Sequence, residues 1–109
     1  MCRGICQTIV GPFFTYNYVR FEGPEDFEFI KQIVLSYNSK YKPSVRIEYC
    51  ESCSIPYIKV ECNDKKKKKN IPPYILQHGD YFLYDPERKI WDEFSITEGQ
   101  FYNHFKIIS

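Results

Sequence analysis

The spacing of apolar and polar residues changes period several times along this chain, and each change predicts an element. Tyr16, Tyr18 and Arg20 alternate with Asn17, Val19 and Phe21, the period of two expected of a strand. Ahead of it, Ile9 and Val10 stop at Gly11-Pro12 and Phe13 to Tyr16 resume, so residues 1–15 read as a lead-in strand. Gly23-Pro24-Glu25-Asp26 then marks a helix start. Proline fits the first turn, where its missing N–H has no intrahelical partner, and the two acids complement the positive end of the dipole. Phe27, Ile30, Val34 and Tyr37 follow at helical spacing, widened by Ile33, and predict a helix over about 24–37.

The period returns to two at Val45, Ile47 and Tyr49, and again at Ile58, Val60 and Cys62, giving two strands joined by a turn over residues 50–56. Residues 63–73 carry Lys65 to Lys69 and read as a flexible loop, since five adjacent ammonium groups repel one another. Pro72 and Pro73 have no N–H to give to a ladder. Strands follow at about 80–84 and 89–94, with Gly79 expected at positive φ where the chain turns into the first. A short helix over about 97–105 closes the chain. Thr97 and Gln100 have capping-box spacing, and Ile96 can staple to Phe101. Phe101 and Phe105 are expected to face the core one turn apart, with Ile107 and Ile108 tucking in the end. The elements describe a single small α+β domain. A mixed, mainly antiparallel sheet of about five strands packs on the 24–37 helix, and the 97–105 helix plugs one end.

Composition sharpens this picture. Ten Tyr, nine Phe and one Trp occur with no alanine, so the core must be built from rings, which suit a pleated face. The bias toward Ile, Lys, Asn, Tyr and Phe is that of an AT-rich genome. A net charge of +1 supplies no global field to recruit nucleic acid or an anionic membrane. No apolar run approaches the roughly 18 residues of a membrane span, and Met1-Cys2-Arg3-Gly4 does not open a secretory leader. A soluble intracellular protein is therefore the expectation. Five cysteines in such a compartment read as thiols or metal ligands.

Candidate chemistry is sparse. Cys50-x-x-Cys53 has zinc-ligand spacing, and a tetrahedral site needs two more donors. Cys2 with Cys6 can supply them if the N-terminus folds back, with Cys62, His78 and His104 as further options. A thioredoxin-like role for the pair is disfavoured, because it lies between strands and not at a helix N-terminus. The two histidines stand in no nucleophile or metalloprotease signature, no paired acids stand out, and the glycines are scattered singly. No enzyme is expected, and no cofactor apart from the zinc option.

The order Gly-Asp, strand, turn, strand, helix ending in Phe resembles that of a family of small, uncharacterised phage-encoded proteins. Val19-Arg20-Phe21-Glu22-Gly23 with Glu25 to Ile30 is similar to its first part, and Tyr57 to Val60 to its middle strand. His78-Gly79-Asp80-Tyr81-Phe82 and Glu98 to Phe105 resemble its closing motif and terminal helix. His78 stands where that family has a proline or similar turn residue, and Trp91-Asp92 where it has Gly-Glu. The resemblance implies an α+β fold and a viral or mobile-element origin, and it implies no known activity.

A virus-encoded accessory protein that binds a host protein is the reading these features favour. Tyr74, Tyr81, Tyr84 and Trp91, clustered around one hairpin, are the expected hot-spot residues. Two alternatives use the same rings. In one, they sandwich a nucleotide whose phosphates pair with Arg20, Arg46 or Arg88. In the other, they stack single-stranded nucleic acid with help from the lysine run.

Overall fold

The computed structural model describes residues 2–37, 43–61 and 73–109, apart from the side chains of residues 92–94. In chain order these form β1 (Arg3–Thr8), β2 (Thr15–Arg20), a 3-10 turn (Pro24–Asp26), α1 (Phe27–Ser36), β3 (Ser44–Tyr49) and β4 (Pro56–Glu61). β5 (Tyr74–Gln77), β6 (Tyr81–Asp85), β7 (Ile90–Ile96), α2 (Glu98–His104) and β8 (Phe105–Ile107) follow. The class is α+β, as the alternation of periods predicts. The strands do not make one sheet, however. β7-β6-β2-β1-β8 form one and β3-β4-β5 a second, with antiparallel pairing throughout both.

The side-chain alternation explains how two sheets pack around two cores. Val19 and Phe21 near the end of β2, with Phe82 and Tyr84 of β6, point to one side of the larger sheet. There they meet Ile30, Ile33 and Val34 of α1 and the inward face of the smaller sheet, Val45, Ile58, Val60 and Leu76. Tyr18, Tyr81 and Leu83 point the other way and join Cys6, Ile96 and Phe101 in a second core under α2. Tyr81, Phe82, Leu83 and Tyr84 are all buried for this reason. A strand covered on both faces reads as an unbroken apolar run, and that run hides which ring faces which layer.

Both helices start where the sequence places them. Pro24 sits in the first turn, and Asp26 folds back, fully buried, to accept the Glu22 N–H at 2.9 Å. At α2 the Thr97 hydroxyl accepts from the Gln100 N–H at 3.3 Å, and the Gln100 side chain accepts from the Thr97 N–H at 3.2 Å. The ends of the chain depart from expectation. β1 is an interior strand between β2 and β8, not a lead-in, and Ile107 and Ile108 are 44% and 48% exposed instead of tucked in. β5 and β8 are too short to show a period in the sequence. The predicted loop over 63–73, with its lysine run, lies outside the described residues except for Pro73. Among the described residues no helix is long and apolar enough to cross a membrane.

The Gly-Asp turn is the joint of the larger sheet. The Gly79 N–H donates to the Phe21 carbonyl at 2.7 Å, the Phe21 N–H to the Asp80 carbonyl at 2.9 Å, and His78 Nε2 to the Glu22 carbonyl at 2.9 Å. The Asp80 carboxylate accepts from the Gln77 N–H and the Ser95 hydroxyl. Gly79 itself has φ +90°. A Cβ built there meets only an Arg20 guanidinium nitrogen, at 3.7 Å, so the obstacle to a side chain is the backbone conformation and not space. Gly79→Ala is expected to cost about 1–2 kcal/mol by chemical denaturation. An unchanged midpoint would mean that the turn relaxes out of the left-handed region.

Candidate functional site

The hot-spot residues expected at the β6–β7 hairpin do not form a surface. Tyr81 is 2% exposed and stacks on Phe101 with ring centroids 4.0 Å apart. Tyr84 is 7% exposed and lies among Phe29, Tyr37 and Phe82. Both are core residues, since β6 is covered on both faces. Trp91 is half-buried against the first core, with its ring edge-on to Tyr74 at 5.6 Å. Of the four, only Tyr74 is exposed.

The three arginines lie on different elements, and each is engaged by an acid. Arg20 on β2 approaches Glu98 at 3.8 Å and donates to the Gly79 carbonyl. Arg46 on β3 pairs with Glu61 at 2.7 Å and Glu48 at 3.6 Å, while Arg88 in the β6–β7 turn pairs with Asp85 at 2.7 Å. The Arg88 guanidinium holds the Asp85 carboxyl below its usual range. These guanidinium groups are built into the protein's own ion pairs and do not converge on a phosphate.

What the surface does present is the tip of the β1–β2 hairpin. The ladder ends at Gln7 opposite Thr15, and Gly11-Pro12 keeps the apolar residues on either side from continuing it. Thr8 ties off the base of the loop. Its N–H donates to the Phe14 carbonyl at 3.0 Å, and its hydroxyl accepts from the Phe14 N–H at 2.9 Å and donates to the Pro12 carbonyl at 3.3 Å. The Ile9 N–H donates to the His104 carbonyl, anchoring the loop to the end of α2. Thus fastened, the loop displays Ile9 at 44% exposure, Val10 at 75%, Phe13 at 62% and Phe14 at 47%. Four large apolar side chains exposed within six residues are a local concentration, unlike the scattered single residues normal on a surface. The sequence shows these residues plainly, but their apolar character reads as strand.

A second feature is a groove of about 1000 Å³ on the outer face of the smaller sheet. Glu48, Tyr57, Lys59, Ile75 and Gln77 line it from alternate positions of β3, β4 and β5, and the Cys50–Cys53 turn heads it. The Tyr57 hydroxyl donates to Glu48 at 2.7 Å, which lowers the Glu48 carboxyl pKa and raises that of the phenol. Because the folded value is depressed, this bond contributes above the ordinary glutamate pKa and is lost as pH falls through the folded value. Tyr57→Phe is expected to move the Glu48 carboxyl midpoint upward in an NMR titration. An unmoved midpoint would assign the shift to Arg46 and Lys59 instead.

The cysteines proposed as a joint zinc site stay apart. Cys2 and Cys6 belong to the second core, where burial pushes the Cys6 thiol up to about 12, while Cys50 and Cys53 lie in the β3–β4 turn of the other sheet. Cys62 lies outside the described residues. Among the described residues no three His, Cys, Asp or Glu side chains gather as a metal site. His78 is engaged with the Glu22 carbonyl, and His104 is exposed at the end of α2. Comparison of the chain with protein-family models, curated proteins and solved structures gives no match.

Proposed function

We propose that this chain is a non-enzymatic binding module, a virus- or phage-encoded accessory protein that docks on a host protein in the host cytoplasm. The observation that carries the reading is the apolar tip of the β1–β2 hairpin: Ile9, Val10, Phe13 and Phe14, held outward by the Thr8 hydrogen bonds. Keeping such a patch in water costs free energy that burial against a partner recovers, at about 25 cal/mol per Å². A fastened loop also enters an interface with little ordering left to lose. Its convex shape fits an apolar cleft, with the two phenylalanines as anchors. The viral origin rests on composition and on the resemblance in the Gly-Asp and terminal-helix segments.

Val10→Asp and Phe13→Asp test this. Both positions are exposed, so stability is expected to hold within about 0.5 kcal/mol. Each variant is expected to weaken binding to a host protein that co-purifies stoichiometrically with the wild type. A hot-spot loss of about 2 kcal/mol corresponds to roughly 30-fold in Kd. Unchanged binding by both variants would sink the reading. So would flotation of the wild type with phospholipid vesicles in place of a protein partner.

A further inference from the structure

The turn that heads the groove has chemistry of its own. Residues 51–53 turn between β3 and β4, closed by the Ser54 N–H donating to the Cys50 carbonyl at 2.8 Å and the Cys50 N–H donating to the Ile55 carbonyl at 3.0 Å. Ser54 completes the reversal at φ +57°. A reversal this tight brings residues three apart to within about 7 Å in Cα separation, close to the roughly 4.4–6.8 Å that a disulfide spans. The Cys50 sulfur lies 3.2 Å from the Ser52 hydroxyl. A hydroxyl at that distance can donate to a thiolate and favour it, as the N–H groups of a helix N-terminus do in other C-x-x-C sites. No helix follows Cys50, which disfavours such a role from the sequence; the turn brings the Ser52 hydroxyl to the sulfur without one. Both cysteines are free, Cys53 is exposed, and both border the groove.

We propose that Cys50 and Cys53 form a thiol–disulfide exchange site whose substrate is a peptide-borne disulfide received by the adjoining groove. Cys50 is the attacking thiolate and Cys53 the resolving thiol. Cys50 attacks one sulfur of R–S–S–R′, that bond breaks, Cys50–S–S–R forms, and R′–S⁻ leaves and takes up a proton. Cys53 then gives its proton to water and attacks the Cys50 sulfur. The bond to R breaks, R–S⁻ leaves and is protonated, and a Cys50–Cys53 disulfide remains. Two protein thiols are oxidised, one disulfide is reduced to two thiols, and no other oxidant enters. Each chain reacts once and turns over only if an external thiol reduces it. Tyr49, Ile55 and Ile75 offer apolar contacts along the groove, with Lys59 and Gln77 for polar ones. The Ser52 hydroxyl beside it holds the Cys50 thiol down to about 6, which favours the thiolate. The site is independent of the partner assigned to the hairpin tip.

The test uses the full chain and glutathione disulfide, with adducts located by peptide mass spectrometry. The wild type is expected to lose two hydrogens between Cys50 and Cys53, while Cys53→Ser stops at a glutathione adduct on Cys50. In the Cys50→Ser chain, Cys53 is expected to react about tenfold more slowly at pH 6, after allowance for the lower nucleophilicity of a more acidic thiol. Circular dichroism of each variant checks that the exposed turn tolerates the change. Equal rates for the two cysteines, or adducts on both without an internal disulfide, would overturn the proposal. So would wild-type protein that carries about one zinc per chain and unfolds on chelation.

Discussion

Phe101→Ala is expected to destabilise the protein by about 3–5 kcal/mol, a fall of roughly 15–30 °C in Tm for a domain of this size. The ring is fully buried, stacks on Tyr81 at 4.0 Å and meets Tyr18 at 5.4 Å and Phe105 at 5.7 Å. It is also the one buried residue of α2, so truncation removes the contact that holds the helix on its face of the sheet. Seven residues are too few to stay helical on a capping box alone. Far-ultraviolet dichroism should therefore lose helical signal below the main transition. A loss of less than about 1 kcal/mol would show that the second core closes over the gap.

The second large effect is expected at Tyr84, which the sequence marks as a binding residue and the fold buries. Tyr84→Ala is expected to cost about 3–4 kcal/mol, because it opens a cavity between α1 and the larger sheet. Phe29, Tyr37 and Phe82 would each lose a ring neighbour there, at 6.1, 6.3 and 5.9 Å. Trp91→Ala is expected to fall below it, at about 2 kcal/mol, since that ring is half-buried at the margin of the same core. Phe105→Ala is expected at no more than about 2 kcal/mol, because its ring is only partly buried at the edge of the second core. Urea denaturation of the four variants is expected to give the order Phe101, Tyr84, then Trp91 and Phe105. A silent Tyr84→Ala would return that residue to the surface.

Local signals set what was legible in the sequence. Pro24 with Glu25 and Asp26, the stripe from Phe27 to Val34, and the Thr97–Gln100 box each act within one or two turns of backbone. Both helices therefore begin where the residues say. Gly79 takes positive φ as its place before a strand demands, and the alternation over 16–21, 45–49 and 57–61 gives strands at those positions. Partition was not legible. A period of two says that one face differs from the other, not which sheet a strand joins or how many layers cover it. Tyr81 and Tyr84 therefore read as surface residues, although β2, α1 and α2 bury them. β5 and β8 exist through their partners, because four and three residues carry no period of their own. The hairpin tip went unread for the opposite reason. Ile9, Val10, Phe13 and Phe14 have the composition of a buried strand, and only the closure of Thr8 onto Pro12 and Phe14 turns them outward. The Cys50–Cys53 spacing is visible in the chain. The Ser52 hydroxyl beside the Cys50 sulfur is brought there by the turn, whose path is set by the β3–β4 pairing that frames it. Short-range backbone and capping chemistry is written residue by residue. Exposure and convergence depend on which elements meet, and for those only the assembled sheets decide.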